Sequence, residues 1–146
     1  MNPCVIITIP AKAEYLSVVR LTLNGIAANV GFSFEEIEDM KIAVAEACNN
    51  AVIHAYSEEQ AGSVEVSFNI VEKGLDIHVK DEGISLDTAH KLEKAVSHHN
   101  KSLNEIRTSG LGLYLMKSLM DNVQVISGRG TEIILTKLHC RSKQYA

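Results

Sequence analysis

The chain has 146 residues, 46% hydrophobic and 22% charged, with nine glycines and two prolines; this is the make-up of one globular domain and excludes collagen-like, disordered and disulfide-scaffold classes. Eighteen acidic against fourteen basic side chains leave a net charge of −4, and aromatics make up 5% with no tryptophan, so neither phosphate neutralisation nor base stacking has the residues that direct nucleic-acid binding needs. No apolar run approaches the ~20 residues that span a bilayer, no basic and apolar leader opens the chain, and Cys4, Cys48 and Cys140 are widely spaced without a C-x-x-C pair, which fits a reducing, cytoplasmic setting.

Val5, Ile7 and Ile9 alternate with other residues, which predicts a short strand closed by Pro10. Tyr15, Val18, Val19, Ile26 and Val30 recur at helical spacing over 12–30, and Gly31 marks the end of that helix. Ser33 and Glu36 form an S-x-x-E capping box. It opens a second helix over 34–56 whose buried stripe is Ile37, Met40, Val44, Ala47 and Ala51. Val64, Val66, Phe68 and Ile70 alternate, as do Leu75, Ile77 and Val79, with Glu72-Lys73-Gly74 as the hairpin turn. The polar stretch 84–109 reads as a loop with a short helix around Leu86, Leu92 and Val96. Gly110-Leu111-Gly112-Leu113 then leads into a helix from Tyr114 to Met120. Val123 and Val125, then Ile133 and Leu135, make a second hairpin around 127–130, and 141–146 reads as a frayed tail. Hairpins and helices that segregate, with no βαβα alternation, predict an α+β two-layer sandwich: a mostly antiparallel sheet with helices on one face.

Four short constellations carry chemistry. Glu46 and Asn50 stand four residues apart on the second helix, so both face one side, ~6 Å apart along the axis. A carboxylate there can act as a base, and an amide oxygen can ligate a hard cation such as Mg²⁺. Asp81-Glu82-Gly83 follows a strand directly; a carboxylate at a strand end can accept from a ligand amine, and Gly83 permits close backbone approach. Gly110 and Gly112 before a helix let backbone amides approach a phosphate. Thr131, after Gly128 and Gly130, places a hydroxyl on the last strand. Each alone has an ordinary explanation: a solvated helix face, a D-x-G turn, a loop, a hairpin. The glycines match neither the P-loop nor the dinucleotide-binding fingerprint.

In this order, however, the four resemble the N, G1, G2 and G3 boxes of the GHKL ATP-binding superfamily. More narrowly, the stretch 20–56 (RLTLNGIAANVGFSFEEIEDMKIAVAEACNNAVIHAY), with DEG and GLGLYLMKSLMD, is similar to the bacterial anti-sigma factor serine kinases, and most of all to the anti-sigma-B kinases of the general stress response. The resemblance implies a Bergerat, histidine-kinase-like ATPase fold over 1–140 with an ATP lid over about 84–109. It implies that Glu46 is the general base, that Asn50 holds Mg²⁺ beside the ATP triphosphate, and that Asp81 and Gly83 meet adenine. It further places Gly110, Leu111, Gly112 and Leu113 around the phosphates, and Thr131 near the base. The partners it implies are a sigma factor, an anti-anti-sigma factor bearing the phosphoacceptor serine, and a second copy of the chain in a homodimer.

Ser85 stands where many GHKL proteins have the second glycine of D-x-G-x-G. Arg107 lies just before the G2 box and His54 one turn past Asn50; each is either a phosphate contact or an ordinary surface side chain. His90, His98 and His99 lack a completing ligand set, and Cys48 reads as an inert core thiol. The resulting expectation is an anti-sigma factor that phosphorylates a serine of its antagonist with Mg-ATP. The alternatives are a nucleotide-dependent binding or switch module, or an ATP hydrolase of the same fold.

Overall fold

Strand β1 (Cys4–Pro10) passes through a 3-10 turn (Ala13–Tyr15) into helix α1 (Leu16–Val30) and then α2 (Phe34–Ala55). Strands β2 (Ser63–Val71) and β3 (Gly74–Asp81) follow, then α3 (Leu103–Leu119), β4 (Asn122–Ser127) and β5 (Thr131–Leu138). This computed structural model describes residues 2–55, 62–81, 103–128 and 130–139, and of 53–55 and 103–110 the backbone only. Gly83, residues 84–102 of the expected lid over 84–109 and the tail 141–146 lie outside the described residues, as do the side chains of His54 and Arg107.

The joint between α1 and α2 is written in three residues. Gly31 takes φ +102°, a left-handed conformation that costs glycine little. The amide of Phe32 donates to Ala27 O and that of Gly31 to Ala28 O, each at 3.1 Å, which is the Schellman closure of a helix end. Ser33 then starts α2 by the expected reciprocal cap. Its Oγ accepts from the Glu36 amide at 3.1 Å, and its own amide donates to Glu36 Oε1 at 3.0 Å.

The buried face of α1 is Leu16, Val19, Leu23 and Ala27, which corrects the expected stripe. Tyr15 belongs to the 3-10 turn, and Tyr15 and Val18 are exposed. The helix begins at Leu16, so the inward positions follow from that residue, while Ile26 and Val30 pack on the edge of the core. On α2 the expected Ile37, Met40, Val44, Ala47 and Ala51 are all buried, joined by Ala43 and Cys48.

The five strands run in the order β1-β2-β3-β5-β4, every neighbouring pair antiparallel. The sheet's alternation puts Val64, Val66 and Phe68 of β2, Leu75, Ile77 and Val79 of β3, and Ile133 and Leu135 of β5 on the face that α1 and α2 cover. On the other face His78 Nδ1 meets Glu132 Oε1 at 2.8 Å, and the Thr136 hydroxyl donates to Asp76 Oδ1 at 2.8 Å. The two-layer α+β architecture is therefore as expected, with the sheet wholly antiparallel among the described residues.

Two local expectations change. Gly74 is the buried first residue of β3, beyond the turn. A Cβ there would run into the Lys137 carbonyl and come within 2.9 Å of Leu138 Cα, so its lack of a side chain lets β5 lie against β3. Helix α3 also begins at Leu103, eleven residues before the expected Tyr114, with Gly110-Leu111-Gly112-Leu113 inside it. Each interior glycine costs a helix about 1 kcal/mol relative to alanine; at Gly112 the lack of a side chain lets α3 pack closely on α2.

Candidate active site

The site begins on α2. Its capped first turn sets a helical register in which Ala43, Ala47 and Ala51 point into the core, leaving Glu46 and Asn50 on an adjoining, half-buried side. Against that side lies Gly112 of α3. A Cβ built on Gly112 would stand 3.0 Å from Glu46 Oε2, 3.8 Å from Asn50 Nδ2 and 3.9 Å from Asn50 Oδ1. The structure thus brings the N-box pair and one G2 glycine, 62 residues apart for Asn50 and Gly112, to a single spot. Any larger residue at 112 would require the Glu46 carboxylate to give way by a few tenths of an ångström.

A second grouping sits where β3 ends and β5 begins. Asp81 is 5% exposed, and its Oδ1 accepts a hydrogen bond from the Thr131 amide at 3.2 Å. Antiparallel pairing of Lys80 with Glu132 makes these two residues the next pair along the ladder. Carboxylates are seldom this buried without partners, and the bond to Thr131 fixes the orientation of Asp81. Helix α2 packs on both β3 and β5 and so connects the two groupings.

Of the other expected residues, Leu111 is exposed and Leu113 packs on the core margin. The glycines do not lead into the helix as anticipated. Gly110 and Gly112 lie mid-helix, where their amides have intrahelical acceptors and are not the free donors of a helix start. The donor chemistry fits a hard cation with an oxygen-rich ligand: Glu46 and Asn50 offer a carboxylate and an amide oxygen on one side of α2, close to Gly112. Among the described residues no group of three His, Cys, Asp or Glu gathers to hold a metal by itself.

Cys48 is fully buried, and burial pushes its thiol from 9.0 up to about 12 against a smaller opposing pull from Arg20. It is a neutral core side chain and no nucleophile. Sequence reasoning overlooked Lys137, which is 7% exposed and donates from Nζ to Leu119 O at 2.8 Å. The strand's alternation through Thr131, Ile133 and Leu135 already assigned position 137 to the inner face.

The family of histidine kinase-like ATPase domains matches residues 9–137. The chain belongs to that family. Within it the sequence is 45% identical to the serine-protein kinase RsbW of Bacillus velezensis over 130 residues, covering 88% of this chain and 81% of that protein. With the serine-protein kinase RsbW of Bacillus licheniformis it shares 44% identity over 136 residues, 92% of this chain and 84% of the relative. The chain is thereby one of the RsbW group of histidine kinase-like ATPases. In fold it is similar to the crystal structure of the RsbU and RsbW domains of a Mycobacterium tuberculosis protein, with TM-score 0.66 at 22% identity, over 93% of this chain and 32% of that one.

Proposed function

We propose that this RsbW-group protein is a serine-protein kinase that uses Mg-ATP to phosphorylate a serine of a small protein antagonist, and that it also binds and inhibits a sigma factor of the sigma-B type. The observation that carries the reading is the close approach of Gly112 to Glu46 Oε2 and the Asn50 amide, which groups a base, a hard-cation ligand and a glycine of the G2 motif. The relatives' name, serine-protein kinase, supports the reaction class. The motif resemblance to anti-sigma factor kinases supplies the sigma factor and its antagonist.

In this mechanism the serine Oγ attacks the γ-phosphorus of ATP, and the bond from that phosphorus to the β,γ-bridging oxygen breaks to release ADP. Glu46 accepts the serine proton and passes it to solvent. Bound Mg²⁺, with Asn50 among its ligands, supplies neutralisation of phosphate charge. Asp81, held by Thr131, accepts from the exocyclic amine of adenine and so selects the base. Most of the rate enhancement comes from positioning and charge stabilisation, since phosphoryl transfer asks for little covalent chemistry from the protein. No helix among the described residues is long and apolar enough to cross a membrane; we place the protein in the cytoplasm, as a homodimer.

The test incubates the protein with γ-labelled ATP, Mg²⁺ and a purified antagonist, with Glu46→Gln as control. Label on an antagonist serine, lost in the variant, is the expected result. Free phosphate alone would instead make the protein an ATP hydrolase. Nucleotide binding without either product would make it a switch module.

A further inference from the structure

A lysine ammonium is rarely buried without a carboxylate, because removing the charge from water costs several kcal/mol unless strong contacts replace the lost hydration. Lys137 is 7% exposed, yet the ion pairs among the described residues join Lys41 to Glu38 and His78 to Glu132, not Lys137 to any acid. Its Nζ instead donates to the carbonyl of Leu119, the last residue of α3. That carbonyl is one of the helix-end acceptors without an intrahelical partner, and a cation there also meets the negative end of the helix dipole.

Two further bonds bind the same corner. The Asp121 amide donates to Thr136 O at 2.9 Å, and the Leu138 amide donates to Asp121 Oδ2 at 2.7 Å. Leu119 at the end of α3 is therefore tied once to Lys137, and Asp121 in the turn that follows is tied twice to Thr136 and Leu138 of β5. The start of that same strand, Thr131, donates to Asp81, and seven residues before Leu119, ~10 Å along the helix, Gly112 lies on Glu46 and Asn50. One strand thus anchors both groupings of the site.

We propose that Lys137 is a positioning residue for the nucleotide site, setting the placement of α3 so that Gly112 rests against Glu46 and Asn50. The inference rests on the kinase reading above. A helix cap of merely structural value would change thermal stability and leave nucleotide affinity alone. A positioning role couples Lys137 to Gly112.

The experiment measures Mg-ATP affinity by calorimetry, together with thermal midpoints, for wild type, Lys137→Met, Lys137→Arg, Gly112→Ala and the double variant Lys137→Met/Gly112→Ala. Lys137→Met is expected to weaken ATP about tenfold, and Lys137→Arg, which keeps a charged donor, to stay within about threefold. The double variant should be no more than about threefold weaker than the weaker single, since two changes acting through one contact do not add. Should Lys137→Met fail to fold, Lys137→Gln, which retains a neutral donor, is read against the same scale. A lowered midpoint with affinity within about twofold, or full additivity with Gly112→Ala, overturns the proposal. Wild type that binds no ATP overturns the kinase reading and this inference together; wild type that binds, with an unaffected lysine variant, overturns the inference alone.

Discussion

The α-carbon of Gly112 stands where any side chain would come within 3.0 Å of Glu46 Oε2. An alanine there improves helix propensity by about 1 kcal/mol but moves the carboxylate or lifts α3. Gly112→Ala is therefore expected to hold or raise the thermal midpoint while weakening phosphoryl transfer about tenfold or more. Calorimetric melting and a transfer assay on the same preparation check both halves, and unimpaired transfer would count against the contact as part of the site.

Glu46→Gln keeps the shape and removes the basic oxygen. Transfer should fall by about 10²–10⁴-fold, the usual contribution of a general base, with nucleotide affinity changed only a few-fold. Loss of affinity in parallel with rate would recast Glu46 as a binding residue.

Buried Asp81 and the half-buried Thr131 amide form a pair at the mouth of the β3–β5 ladder. Asp81→Ala leaves that amide without its side-chain acceptor, at a cost of about 1–3 kcal/mol, visible in urea unfolding. Asp81→Asn retains an oxygen acceptor for Thr131 and should fold with most of its stability, yet bind ATP less well because its amide can present a donor to the adenine amine. Equal affinity of wild type and Asp81→Asn would remove Asp81 from the base-reading role.

Gly74→Ala should destabilise the fold by about 3 kcal/mol, the upper end of the usual range for overpacking. The Cβ would strike the Lys137 carbonyl and approach Leu138 Cα to 2.9 Å. A urea midpoint close to wild type would show that β5 can shift freely.

Burial holds the Cys48 thiol protonated up to about 12, whereas the unfolded chain ionises it near 9.0. Above that lower value the unfolded state binds fewer protons than the folded one, so stability contributed by Cys48 is whole below pH 9 and falls as pH rises toward 12, by about 1.4 kcal/mol per unit. Urea melts of wild type and Cys48→Ala between pH 8 and pH 11 should converge as pH rises. Parallel curves would contradict the burial.

Strands were legible because alternation is a strong local signal: Val64, Val66 and Phe68, and Leu75, Ile77 and Val79, face inward as their spacing implied. The Ser33–Glu36 cap was legible for the same reason, being complete within four residues. The start of α3 was not. Asn104, Glu105, Thr108 and Ser109 dilute any apolar period, and Gly110 and Gly112 read locally as a break, whereas the helix is maintained by packing on α2. Gly74 looked like a turn residue because its neighbour Lys137 is 63 positions away. For the site, spacing put Glu46 beside Asn50 and order put Asp81 at a strand end; only the tertiary fold could show Gly112 on the first pair and Thr131 on the second.

The strand order places β5, the last of the five described strands to be synthesised, between β3 and β4. Until Thr131–Leu138 emerges, β3 and β4 lack the strand that each pairs with among the described residues, and Asp81 lacks the Thr131 amide. The earlier helices and hairpin can collapse in the meantime, but the bond between Asp81 and the Thr131 amide forms late and through long-range pairing, which slows folding relative to local contacts. A nascent or shortened chain lacking this strand would expose an unpaired, apolar sheet edge, the kind of surface that invites association with other chains.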